Sequence, residues 1–213
     1  SITFTFQTPV PVKIPFSLRI PGWCDSPSLK INGESFAGRL DKGTFVTLHR
    51  CFQDGDVVEL HVPMPVKIVP WEDLGLVVER GPLLFAFAVP EKVTRDDGRY
   101  ANMGGKRSPD PDLFPALDIR PNGPWNYALA TRSVTDLRLV VRTSADYPFD
   151  PGCSPVLIQA PARKVVGWAL EDGCFTPPLP AKGTVDCEDA VETIDLVPYG
   201  STRLRLAVFP EAP

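Results

Sequence analysis

Val12-Lys13-Ile14-Pro15-Phe16-Ser17-Leu18-Arg19-Ile20 decides the fold class. Apolar residues occupy every second position. Successive side chains of a strand point to opposite faces, so Val12, Ile14, Phe16, Leu18 and Ile20 share one face. Pro15 has no N–H to give to a ladder, which predicts a strand at a sheet edge or bulged at that point. Downstream, Leu29-Lys30-Ile31 runs into Asn32-Gly33, a favoured two-residue hairpin turn. Thr44 to Leu48 reads as another strand, Asp54-Gly55-Asp56 as a tight turn, and Val57 to Val62 as the return strand with Val58, Leu60 and Val62 inward. Upstream, Ser1 to Phe6 alternates like a strand. The apolar runs Leu76 to Val78 and Leu83 to Val89 complete a strand set of sandwich size.

Patterning lapses between Pro90 and Pro124, a stretch rich in proline, glycine and charge, and a domain boundary is expected near its start. Regularity returns at Trp125. No proline or glycine interrupts Asn126 to Tyr147, so a helix has to be weighed there. The β-branched residues Val134, Thr135, Val140, Val141 and Thr143, without a helical stripe, predict instead two strands with a turn near Thr135-Asp136. Val156 to Ala160, Val165 to Leu170, Thr193 to Val197 and Thr202 to Phe209 supply the remaining expected strands. The expectation is all-β: two consecutive β-sandwich, jelly-roll-like domains over residues 1–90 and 91–213.

Composition agrees. Proline makes up 25 of 213 residues, about twice ordinary usage, and proline breaks helix interiors. The apolar fraction of 43% suffices for real cores. A net charge of −4 with scattered Lys and Arg gives no footprint for nucleic acid or an anionic membrane. No apolar run is long enough to span a bilayer as a helix. The chain lacks an initiator methionine, which predicts a fragment or processed product of a longer protein. The odd set Cys24, Cys51, Cys153, Cys174 and Cys187 contains no close pair of the kind a structural zinc site uses. Reduced, mostly buried thiols are expected, with a lean towards a reducing, cytoplasmic compartment.

Candidate chemistry is sparse. Glycosidases need two cooperating carboxylates. The acidic pairs Glu72-Asp73, Asp96-Asp97, Glu171-Asp172 and Glu188-Asp189 sit in polar turns, and neighbours in a strand diverge, so solvated turn carboxylates are expected. His49 and His61 have no nucleophile motif beside them. Gly104-Gly105-Lys106-Arg107 lacks the strand and helix of a phosphate loop. Among the aromatics that flank turns, Trp71, Trp125 and Tyr127 are the candidate contacts. Flat rings either stack on the C–H faces of sugars or pack against a neighbouring domain. No catalytic, metal or cofactor residue is assigned.

A series of short motifs carries a resemblance. Leu18-Arg19-Ile20-Pro21-Gly22-Trp23, Ile31-Asn32-Gly33, Gly43-Thr44-Phe45-Val46, Arg50 with Gly55-Asp56, and Glu79-Arg80-Gly81-Pro82-Leu83 resemble the middle β-domain of glycoside hydrolase family 127, the β-L-arabinofuranosidase family. Trp125-Asn126-Tyr127-Ala128-Leu129, Ala162-Arg163-Lys164 with Trp168, and Leu196 to Arg205 through Phe209-Pro210 resemble its C-terminal β-domain. Phe52 departs from the pattern, standing where a tryptophan is expected. The resemblance implies a bacterial glycoside hydrolase whose catalytic helical barrel, with its glutamates and cysteine-bound zinc, lies upstream of these motifs. None of the five cysteines here sits in a matching context. The chain is then expected to be a non-catalytic accessory region that braces the barrel, shapes its cleft or self-associates through an exposed apolar patch. The alternative is a carbohydrate-binding module with oligosaccharide as partner.

Overall fold

The computed structural model describes residues 1–96, 113, 115–143, 147–173 and 175–213. The protein is all-β and sandwich-like, and the described residues hold no α-helix. Two compact units divide the chain. The first comprises Ser1–Pro65 with Arg80–Pro82, the second Val66–Glu79 with Leu83–Pro213.

In the first unit, β1 (Ile2–Thr5), β6 (Val57–His61), β3 (Ser28–Ile31) and β4 (Glu34–Ser35) form a four-stranded sheet in that order. β2 (Val12–Arg19) pairs with β5 (Phe45–Phe52) in a separate two-stranded sheet. Pro15 opposite His49 thus lies in an edge strand, where its missing donor is tolerated. The two sheets share one core. Leu18, Ile20, Leu48 and Phe52 come from the β2–β5 side, and Leu29, Val58 and Leu60 from the other. Asn32 (φ 52°) and Gly33 (φ 81°) both adopt left-handed backbone between Ile31 and Glu34, as a two-residue hairpin turn requires. Asp56 braces the same corner. It accepts from Asn32 Nδ2 at 2.8 Å and from the Gln53 N–H at 3.0 Å. These two bonds, with Arg50 nearby, hold its carboxyl below the usual range. One expectation is corrected here. β6 does not return beside β5 but crosses to pair with β1 and β3. Alternation assigned its inward face correctly, but says nothing of its partner.

The second unit is built on a curled eight-stranded sheet. β12 (Tyr127–Leu129), β14 (Val156–Lys164), β15 (Glu192–Pro198), β9 (Leu83–Ala88), β8 (Gly75–Arg80) and β7 (Val66–Trp71) lie in that order. β13 (Arg138–Val141) adds to β14, and β16 (Arg205–Leu206) to β9. Leu76, Val78, Phe85, Leu129, Ile158, Leu196 and Phe209 form its main core. The expected turn near Thr135-Asp136 is a 3-10 turn over Val134–Asp136, capped by Ser133.

Several sequence expectations shift. The units divide after Pro65, whereas residue 90 was the expected boundary, because β8 and β9 hydrogen-bond into the second sheet. The stretch from Pro90 to Pro124 is not all loop. β10 (Glu91–Arg95) and β11 (Leu117–Pro121) pair as an antiparallel ribbon around Val93 and Ile119. Val165 to Leu170 is not a strand. Gly167 turns the chain at φ 74°, and only Val165 keeps a bridge, to Cys187. Thr202 to Phe209 contracts to the two residues of β16 and a bridge from Phe209 to Leu76.

Candidate functional site

Register in the second unit creates its most organised polar group. Tyr127 on β12 stands opposite Lys164 on β14, and Ala162, two residues before Lys164, stands opposite Glu192 on β15. The Tyr127 hydroxyl donates to Glu192 Oε2 at 2.8 Å, and the Lys164 ammonium donates to Glu192 Oε1. Tyr127 is buried, with its ring edge-on to Phe87 at 5.1 Å. Burial, and then the Glu192 carboxylate, push its hydroxyl up to about 12. The Lys164 bond holds the Glu192 carboxyl below its usual range, and the same bond raises the ammonium. Every group is thereby fixed in its neutral-pH form, so none is poised to exchange a proton near pH 7. The group ties three strands together, one of which it joins across 65 residues of sequence.

The other aromatic candidates differ in setting. The Trp125 ring lies 4.8 Å from that of Trp168, tilted by 60°. Trp168 is buried and its indole N–H donates to the Pro178 carbonyl at 3.1 Å. Together with Ala128 and Val165 they make a satellite core, against which Trp125 is half-buried. Trp71 ends β7 and is 47% exposed. Its carbonyl accepts from the Leu74 N–H at 3.1 Å, closing a turn that holds Glu72 at φ 49°. Glu72 and Asp73 border a cleft of about 380 Å³ together with Arg132, Lys182, Val185 and Glu211. Arg132 and Glu211, both in its lining, are ion-paired. The exposed aromatics Tyr147 and Phe149, edge to face at 5.7 Å, and Phe175 escaped the sequence reading. Nothing in the local pattern distinguishes them from loop residues.

The titratable candidates remain dispersed. Glu171-Asp172 and Glu188-Asp189 are exposed in turns. His49 and His61 are exposed on the outer faces of their strands, His61 with Ser1 Oγ 3.0 Å from Nδ1. Cys24 is buried, Cys51 exposed, and Cys153 and Cys187 partly covered, all as free thiols. Burial pushes the Cys187 thiol up. Among the described residues no three His, Cys, Asp or Glu side chains converge as a metal site would require. Gly104-Gly105-Lys106-Arg107, Asp97 and Cys174 lie outside the described residues.

Residues 1–64 match the family model of the β-L-arabinofuranosidase, GH127 middle domain. No curated protein matches the chain. Among solved structures, a glycoside hydrolase is similar over 94% of this chain and 28% of its own, at 21% identity and a TM-score of 0.55. Ara127N, a GH127 β-L-arabinofuranosidase from Geobacillus stearothermophilus T6, is similar over 99% of this chain and 28% of its own, at 20% identity and a TM-score of 0.56. The GH127 β-arabinofuranosidase BT3674 gives 95%, 28%, 18% and 0.53 in the same order. The family resemblance read from the motifs therefore stands, and the solved structures carry the fold of nearly the whole chain. The chain spans 28% of the length of these relatives.

Proposed function

We propose that this chain, whose residues 1–64 match the GH127 middle domain, is the accessory β region of a β-L-arabinofuranosidase-type glycoside hydrolase. Its role is to brace a catalytic helical barrel and shape one side of the barrel's cleft. The observation that carries the reading is the pairing of near-complete coverage of this chain with 28% coverage of each relative. Catalysis in such a protein then rests on chain that these 213 residues do not include. The settings of the polar groups support a structural role. Tyr127, Lys164 and Glu192 are held to one another, and the carboxylate pairs Glu72-Asp73, Glu171-Asp172 and Glu188-Asp189 are exposed.

The test is complementation. The helical barrel of the same hydrolase, produced separately, is mixed with this chain, and its melting temperature and turnover are measured. A brace raises both in a saturable way. A barrel equally stable and active with and without the chain would remove the bracing role.

Trp71 favours a second reading, because its ring is half exposed and its chain neighbours Pro70 and Glu72 line a cleft that also holds Asp73, Arg132, Lys182 and Glu211. In that reading the region holds an oligosaccharide by ring stacking. Titration with arabino-oligosaccharides, followed by tryptophan fluorescence, separates the two. Saturable binding lost in Trp71→Ala supports the binding module, and no binding supports the brace.

A further inference from the structure

Exposed rings gather at one end of the curled sheet. There β14 begins at Val156, β15 ends at Pro198 and β16 starts at Arg205. The turn after β15, Tyr199–Ser201, meets the loop before β14. The buried Ser201 hydroxyl donates to the Pro148 carbonyl at 3.0 Å. That bond joins the two segments, so Tyr199 shares one stretch of surface with Tyr147 and Phe149, the residues flanking Pro148. Tyr147 is 64%, Phe149 62% and Tyr199 45% exposed. The loop is held by its own bonds. Asp150 accepts from the Gly152 N–H at 2.8 Å through Oδ1, and from the Cys153 N–H at 3.0 Å through its carbonyl. Apolar residues scattered singly over a surface need no explanation, whereas a cluster marks a site of contact.

Charge specifies what fits these rings. The Arg205 guanidinium lies 4.1 Å from the centroid of the Tyr199 ring and donates to the Tyr199 carbonyl. Arg142 Nη1 donates to the Gly152 carbonyl at 3.4 Å. Both side chains are exposed, and neither meets a carboxylate among the described residues. Arg132 and Arg203 differ, being ion-paired with Glu211 and Glu91. A guanidinium held by neutral partners keeps its full charge and its free donors, and its planar fork matches a carboxylate. Flat rings beside two such forks suit a chain of sugar rings that carries carboxylates, with C–H faces on the aromatics and uronate groups on the arginines. Single-stranded nucleic acid needs a positive groove that tracks a phosphate at every residue. Two guanidiniums on a chain of net charge −4 do not supply one.

We propose that Tyr147, Phe149 and Tyr199, with Arg142 and Arg205, form a surface that binds uronate-bearing oligosaccharide. That a glycan carries the anion rests on the accessory reading above. The surface is separate from the cleft at Glu72 and Asp73, whose lining includes none of these five residues.

Isothermal titration of the 213-residue chain with oligogalacturonate tests it, with neutral arabino-oligosaccharide as the control. The expected result is saturable binding of the acidic oligomer that weakens as salt rises, and at least roughly tenfold weaker binding of the neutral one. Arg205→Gln and Arg142→Gln each weaken binding about tenfold, the worth of one charge-assisted hydrogen bond. Replacing Tyr147 and Phe149 together by alanine removes the stacking surface and weakens it at least as much. Trp71→Ala leaves it unchanged. A melting curve of each variant checks folding, and the two arginine changes, at exposed side chains, keep the test open should the aromatic variant unfold. No binding at about 5 mM oligogalacturonate, where even a millimolar site would fill, would overturn the proposal. So would binding indifferent to these substitutions, equal binding of the neutral oligomer, or equally tight binding of a single-stranded oligonucleotide. The barrel complementation described above contains no glycan, so failure of the brace and failure of this surface read out separately.

Discussion

Phe52→Ala should remove a large share of the first unit's stability. Phe52 is fully buried. Its ring stacks on Phe6 at 3.9 Å and 11°, and meets Phe16 edge-on at 6.0 Å. The Arg50 guanidinium lies 5.4 Å from its centroid. Truncating a buried phenylalanine costs about 3–5 kcal/mol through lost transfer free energy and the cavity left behind. Lost ring pairing places this site towards the upper half of that range. A unit of about 70 residues has roughly 3–10 kcal/mol of stability in total, so one side chain removes a large share of it. Native-state hydrogen exchange reads the effect locally. A loss of about 4 kcal/mol accelerates exchange of the most protected amides of β2 and β5 about a thousandfold. Amides of β14 and β15, which belong to the other core, should change far less. Phe52→Leu keeps apolar volume and should cost only about 1–2 kcal/mol. Less than a tenfold change in β2 and β5 for Phe52→Ala would refute the placement of this ring at the centre of the core.

Three further outcomes follow from local geometry. Tyr127 has its ionisation raised from 10.0 to about 12 on folding; the stability this contributes is complete below pH 10 and lost as pH rises through about 12. A denaturation series over that window should show the loss, and Tyr127→Phe should flatten it. Gly33→Ala forces a side chain into φ 81° with open space around it, so it costs only the backbone strain, about 1–2 kcal/mol by urea midpoint. Gly75→Ala should cost more, about 2–3 kcal/mol, because its Cβ would lie 2.3 Å from the Phe209 carbonyl oxygen, and main chain cannot move aside as a side chain can.

How far the fold was legible depends on what each signal encodes. Period two encodes a face, and it assigned Leu18, Val58 and Leu60 inward correctly. Paired turn residues encode a local register, and Asn32-Gly33 fixed Ile31 opposite Glu34. Neither signal encodes which strand pairs with which. That is why β6 was placed beside β5, and why β8 and β9 were counted with the first sandwich. β7 was missed because Pro65 precedes it and Pro70 lies within it, which disguises its alternation. Val165 to Leu170 has the composition of a strand, but Gly167 takes a left-handed conformation there. The polar group at Tyr127 was legible only as an aromatic beside a turn. Its partners Lys164 and Glu192 are brought to it by two ladder registers that no short-range pattern records. The cleft at Glu72 and Asp73 likewise draws on residues near 132, 182 and 211, which meet only in the folded unit.

Hydrolysis of an aryl β-L-arabinofuranoside by the purified chain, with and without added zinc, tests the accessory reading most directly. The account predicts no turnover above the protein-free control under either condition. Zinc-dependent turnover that co-purifies with the chain, and disappears when one of its own carboxylates or cysteines is substituted, would contradict it.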